Sequence, residues 1–141
     1  MTTILEAIKT YIEAYSGLAT GAPVWVDFLG ALPIEYSIVP LPGNTILEKY
    51  LNGGSRRQFS FAFQSVRSTA DELERLESLG FFEVFAAWLE SQTLSEQLPT
   101  LDTKQSATLI EAVTSAYLYE QGVSDTGIYQ INCRLEYDQQ P

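Results

Sequence analysis

Histidine is absent from this chain of 141 residues, and cysteine occurs once, at Cys133. Without histidine there is no Ser/His/Asp or Cys/His relay, no imidazole general base, and no His-containing zinc site. Acetyl transfer built on a histidine base is excluded for the same reason. A single cysteine leaves no internal disulfide framework and no Cys-x-x-Cys pair. Cys133 falls within an apolar alternation, which is the setting of a small buried hydrophobe and not of an activated nucleophile. Basic residues are also few, eight Lys and Arg against eighteen Asp and Glu, for a formal charge of −10. An acidic surface repels phosphate backbones and keeps a protein in solution. Long apolar runs are missing too. The most apolar stretch, Phe81 to Leu89, is interrupted by Glu83 and falls far short of the ~20 residues of a membrane span. The N-terminus lacks the basic and apolar regions of a secretory signal. The expectation is a soluble protein made in a cytoplasm, with no membrane partner and no specific nucleic-acid partner.

What is present can build a core. Hydrophobic residues make up 45% and aromatics 12% of the chain, and a compact chain of this length buries about 70% of its unfolded surface. One domain spanning residues 1–141 is expected. Thr3 and Glu6 have the spacing of a capping box. Behind them Leu5, Ile8, Ile12 and Tyr15 follow a helical stripe, with Gly17 as the stop. Residues 18–33 read as a loop holding one short strand within Val24 to Leu29. Ile34 to Val39 is a strand, and Thr45 to Leu51 a second, less regular one. Asn52-Gly53-Gly54-Ser55 is a turn signal. After it Phe59, Phe61 and Phe63 alternate with Gln58, Ser60 and Gln64, the pattern of a half-buried strand.

Ser68 to Glu72 opens a helix whose first-turn carboxylates suit the helix dipole. Leu73, Leu76 and Leu79 are expected as its inner stripe, and Gly80 as a break or bend. The following segment, Phe81 to Gln92, is apolar around most of its circumference, so more than one surface must cover it. Ser106 to Tyr119 and Thr126 to Tyr137 read as two strands joined by a turn at residues 121–125. Strands set apart from helices by hairpin-length connections indicate an α+β fold, a mainly antiparallel sheet with helices on one face.

Little chemistry emerges from these residues. Asn52-Gly53-Gly54-Ser55 lacks the Gly-Lys-Ser/Thr ending of a phosphate cradle and precedes a strand instead of a helix. Glu35, Glu48, Glu111 and Glu136 lie on strands and offer the one remaining acid/base option, a glycosidase-type carboxylate pair. The other reading makes them solvent-face strand residues. The carboxylates from Asp71 to Glu77 form no calcium loop. No catalytic residue, metal ligand or cofactor-binding residue is assigned, and no cofactor is expected. Arg56 and Arg57 open one strand and Arg67 closes it. These arginines either meet acidic patches of a neighbouring subunit or protect an edge strand. Eight tyrosines also favour protein contacts, since each offers a large rigid area with one polar tip.

Four segments resemble the minor capsid and tail-completion proteins of Gram-positive prophages. They are Tyr36-Ser37-Ile38-Val39-Pro40-Leu41-Pro42, the run from Tyr50 to Phe61, the block from Asp71 to Phe82, and the ending from Tyr129 to Tyr137. The resemblance implies a tail terminator-like fold and a ring, typically a hexamer, in the virion neck. That ring, assembled in the host bacterial cytoplasm, would cap the tail tube and join it to the head–tail connector. The partners would be further copies of the chain, the tail-tube protein and the connector protein. Six copies at −10 each give a ring of about −60 formal charge, through whose lumen DNA would slide without sticking. A ring needs two unlike surfaces on each subunit. The expected ones are the strand bearing Arg56, Arg57 and Arg67, and the acidic face bearing Asp71, Glu74 and Glu77. The alternatives are another head–tail joining or tail-tube subunit, and, further off, a carboxylate-based enzyme.

Overall fold

Thr3 caps the first helix, α1 (Ile4–Glu13), by accepting a hydrogen bond from the Glu6 N–H at 3.2 Å, while the Glu6 carboxylate accepts from the Thr3 N–H at 3.1 Å. The capping box read in the sequence is therefore formed. Ile8 and Ile12, on one side of the helix, are fully buried. The helix ends at Ala14, ahead of Gly17. Gly17 instead lies against the Tyr15 ring, where a Cβ would come within 2.4 Å. The computed structural model describes residues 3–27, 29, 34–122 and 125–141. Parts of the 18–33 loop and of the turn at residues 121–125 lie outside the described residues.

Seven strands follow α1, with one long helix among them: β1 (Val24–Val26), β2 (Tyr36–Pro40), β3 (Ile46–Lys49), β4 (Ser55–Ser68), α2 (Glu72–Leu94), β5 (Gln105–Ala112), β6 (Tyr117–Gln121) and β7 (Thr126–Gln139). The two longest strands form the centre. β4 and β7 pair antiparallel along their whole length, from Ser55 opposite Gln139 to Ser68 opposite Thr126. β2 and β3 share the outer edge of β4, and β5 and β6 share the outer edge of β7. β1 joins β2 in parallel. The protein is thus an α+β domain with a mainly antiparallel sheet of seven strands and two helices packed against it.

Directly opposed residues share a sheet face, so the alternation in β4 and β7 sorts the side chains. Phe59, Phe61 and Phe63 lie opposite Leu135, Cys133 and Ile131. The helices cover this face with Ile8, Ile12, Phe82, Phe85 and Leu89, all fully buried. The rings interlock, with Phe63 and Phe85 centroids 4.5 Å apart and Tyr36 stacked on Phe63 at 5.6 Å. Each such side chain contributes roughly 1.5–3 kcal/mol through burial. Cys133 belongs to this core, and its burial pushes the thiol pKa up, away from thiolate chemistry.

Three features differ from the sequence expectations. α2 runs through Gly80 without a break. Its inner stripe is Ser78, Phe82, Phe85 and Leu89, whereas Leu73, Leu76 and Leu79 are exposed. The aromatic residues win the core side because they bury more area than leucine does. Finally, the stretch from Ser106 to Tyr119 divides into β5 and β6. The Val113 and Thr114 N–H groups both point to the Asn132 carbonyl, at 2.7 and 3.4 Å, so the chain bulges and the pairing restarts at Tyr117.

Candidate subunit-contact surfaces

The open face of the sheet carries a row of charges across four strands. Glu48 on β3 lies 3.6 Å from Arg56 Nε on β4, and Arg56 Nη1 lies 2.6 Å from Glu136 Oε1 on β7. Glu136 Oε2 faces Arg134 Nη2 at 3.4 Å, and Arg134 holds Glu111 of β5 through Nη2 at 2.6 Å and Nε at 2.8 Å. Glu48 lies directly opposite Arg56 and Glu111 directly opposite Arg134, while Glu136 lies diagonally across from Arg56, whose direct partner is Asp138. The hydrogen bond to Glu136 raises the Arg56 pKa against a smaller effect of desolvation. Glu136 itself is buried. Three of the carboxylates considered as an acid pair therefore share a face, but arginines stand between them. The arrangement neutralises charge and ties the strands together. Gln64 continues it, donating to the Gln130 side-chain oxygen at 2.7 Å.

The three arginines of β4 do not form one patch. Arg56 belongs to the open face and is occupied within its own chain. Arg57, one residue on, faces the other side opposite Tyr137 and donates to the Ser55 hydroxyl at 2.9 Å. Arg67 turns inward, its guanidinium carbon 4.1 Å above the Phe81 ring and 6.0 Å from that of Tyr36. Desolvation lowers its pKa, partly offset by Tyr36, and its Nε and Nη2 are buried without a hydrogen-bond partner. The aromatic faces supply what hydrogen bonds do not.

The acidic residues also have separate tasks. Asp71 is the N-cap of α2, accepting from the Glu74 N–H at 2.8 Å, and Glu74 accepts from the Ser68 hydroxyl. Glu77 is exposed. Arg56 and Arg57 stand at the start of β4, while Asp71, Glu74 and Glu77 follow its far end, so the length of the strand separates the two groups.

Two surface features were not read from the sequence as surfaces. The first is the outward side of α2, where Leu73, Leu76, Val84 and Leu94 are 65%, 61%, 63% and 79% exposed. A cleft of about 620 Å³ runs beside it, between α2 and β5, lined by Ala86, Ala87, Glu90, Leu94 and Ala112 among others. A second stretch of cleft continues toward Leu79 and Val113. The second feature is Leu51, at the tip of the β3–β4 hairpin. The loop is Leu51, Asn52 and Gly53, with Tyr50 N–H donating to the Gly54 carbonyl at 2.8 Å and Gly53 at φ 93°, a conformation glycine adopts without strain. Leu51 is fully exposed. The sequence signal for the first was the apolar circumference of Phe81 to Gln92. For the second it was a leucine directly before Asn-Gly.

Among the described residues, no cluster of three or more His, Cys, Asp or Glu is placed to hold a metal, and no helix is long and apolar enough to cross a membrane. Compared with known protein families and with curated protein sequences, the chain matches none.

Proposed function

We propose that the protein is a ring-forming structural subunit of a phage tail, a tail terminator that caps the tube in the virion neck and joins it to the head connector. The observation that carries the reading is the second apolar face of α2. A helix with one side in the core and leucines and a valine along the other needs a second surface to cover it. A structural subunit obtains that cover from its neighbours. The four segments that resemble tail-completion proteins add support, because they fall on β2, on the hairpin leading into β4, on the first half of α2 and on β7. They include parts of both central strands, Leu51 at the hairpin tip, and Leu73 and Leu76 of the outward side of α2. The formal charge of −10 per copy suits a lumen through which DNA passes without being held.

Electron microscopy of the purified protein, paired with sedimentation across a range of concentrations, tests this reading. Closed rings of uniform diameter, with a mass near six chains, are the expected outcome. Long stacked tubes would assign the chain to the tube instead of its cap. A monomer at every concentration, also in the presence of tube tips, would overturn the proposal.

A further inference from the structure

The hairpin tip and the α2–β5 cleft differ in every respect that matters for a contact. The tip is convex, with Leu51 fully exposed at its end and Tyr50 half exposed beside it. The cleft is concave, and its floor is small, with Ala86, Ala87 and Ala112 leaving room for a branched side chain. Charge divides the same way. Glu83 and Glu90, both exposed, border the cleft. The hairpin brings Lys49 and Arg57, and among the described residues neither has a carboxylate within salt-bridge distance. Arg56, the other cation of the hairpin, is already engaged by Glu48 and Glu136.

Their places in the fold are complementary too. β3 lies on the outer side of β4, and β5 on the outer side of β7, so knob and cleft sit at opposite edges of the sheet. A chain cannot fill its own cleft with its own hairpin across two central strands. A second copy can, and its own cleft is then free for a third.

We infer that the β3–β4 hairpin tip of one copy seats Leu51 in the cleft between α2 and β5 of the next, with Lys49 and Arg57 against Glu83 and Glu90. The inference rests on the ring reading above and names the contact that builds the ring. The contact is heterologous and head-to-tail, the kind that closes a ring when its rotation allows. It covers the outer side of α2 near Ala87 and Leu94 and buries the exposed Leu51. The apolar anchor supplies affinity, and the charges at the rim set orientation and approach.

Disulfide trapping tests it directly, because the native Cys133 is buried and does not compete. Leu51→Cys and Ala87→Cys variants are prepared separately, mixed, and oxidised with copper phenanthroline. The mixture is expected to give a covalent dimer, each variant alone none, and a chain carrying both substitutions a ladder that ends at the ring. Leu51→Asp, at a site with no folding role, is expected to weaken association at least about tenfold, as loss of a buried anchor does. Cross-linking of Leu51→Cys with itself would make the contact isologous and overturn the inference. An assembled wild type, together with no heterologous cross-link and an unaffected Leu51→Asp variant, would overturn this contact while leaving the ring reading standing. A monomeric wild type with no cross-link would remove both.

Discussion

Helices α1 and α2 cover the same sheet face, but they treat their apolar residues differently. In α1, Ile8 and Ile12 point to the core, while Lys9 and Glu13 pair on the outside at 3.0 Å. In α2, Phe82, Phe85 and Leu89 point to the core, while Leu73, Leu76, Val84 and Leu94 point away from it. The first helix is complete within one chain. The second has a side that folding does not use. Exposed apolar area carried along a helix is costly in solubility and is kept where something covers it. The difference therefore separates residues that hold the fold from residues available for assembly, and it does so within single turns of α2.

Phe85 and Val84 are adjacent and test that separation most strongly. Phe85 packs on Phe63 at 4.5 Å and on Tyr15 at 5.4 Å, and is fully buried. Phe85→Ala should cost about 3–5 kcal/mol of stability, the range for large aromatic truncations in a core. Val84→Ser should cost less than about 0.5 kcal/mol in the monomer, as exposed substitutions do, and should weaken association instead. Urea unfolding at low concentration and sedimentation at high concentration separate the two effects. Equal losses of stability at both positions would show that the outer side of α2 is covered within one chain.

The same difference explains what the sequence could and could not reveal. α1 was legible because one apolar stripe has one phase, and because Thr3 and Glu6 mark its start. β4 and β7 were legible because period-two alternation over many residues leaves one register that buries Phe61, Phe63, Ile131 and Leu135 together. α2 was not, since apolar residues on two sides give the pattern no unique phase. Leu73, Leu76 and Leu79 satisfy helical spacing as well as Ser78, Phe82, Phe85 and Leu89 do. What decides between them is fit against the sheet, and that is a tertiary property. The arginines of β4 misled for a related reason. Sequence proximity placed Arg56, Arg57 and Arg67 together, whereas strand alternation sends Arg56 to one face and the other two to the opposite face. The divided strand was hidden as well, because a bulge depends on the partner: Val113 and Thr114 turn toward one carbonyl of β7, and nothing in their own side chains announces it.

The helix starts provide a smaller test of the comparison. Thr3 supports a helix of ten residues whose outer side contributes little beyond an ion pair. Removing its hydroxyl leaves the Glu6 N–H without its side-chain partner. Thr3→Ala should therefore cost about 1 kcal/mol, the usual effect of losing a cap. It should leave association unchanged, because α1 contributes no part of the proposed contact. Thermal unfolding together with sedimentation reads both quantities. A variant that keeps its stability but loses assembly would place α1 in the interface and remove the division between the helices.

The smallest effect is expected at Gly80, toward the end of the first half of α2. Glycine in a helix interior is less favourable than alanine by about 0.5–1 kcal/mol, mainly through backbone entropy. A Cβ at this position would meet no atom within 4 Å, so the monomer places no steric limit on adding one. The helix continues through the residue, and no positive φ requires glycine there. Gly80→Ala should thus stabilise the monomer by roughly 0.5–1 kcal/mol, seen as a rise of a few degrees in the thermal midpoint. Gly80 lies on the outward side of α2, beside Leu76 and Val84 in helical spacing, and beyond the part of the cleft where Leu51 is placed. A stabilised monomer with unchanged association would confine the contact to the Ala87 half of the helix. A stabilised monomer that no longer assembles would extend it toward the N-terminal half, where a neighbouring backbone approaches close enough to exclude a methyl group.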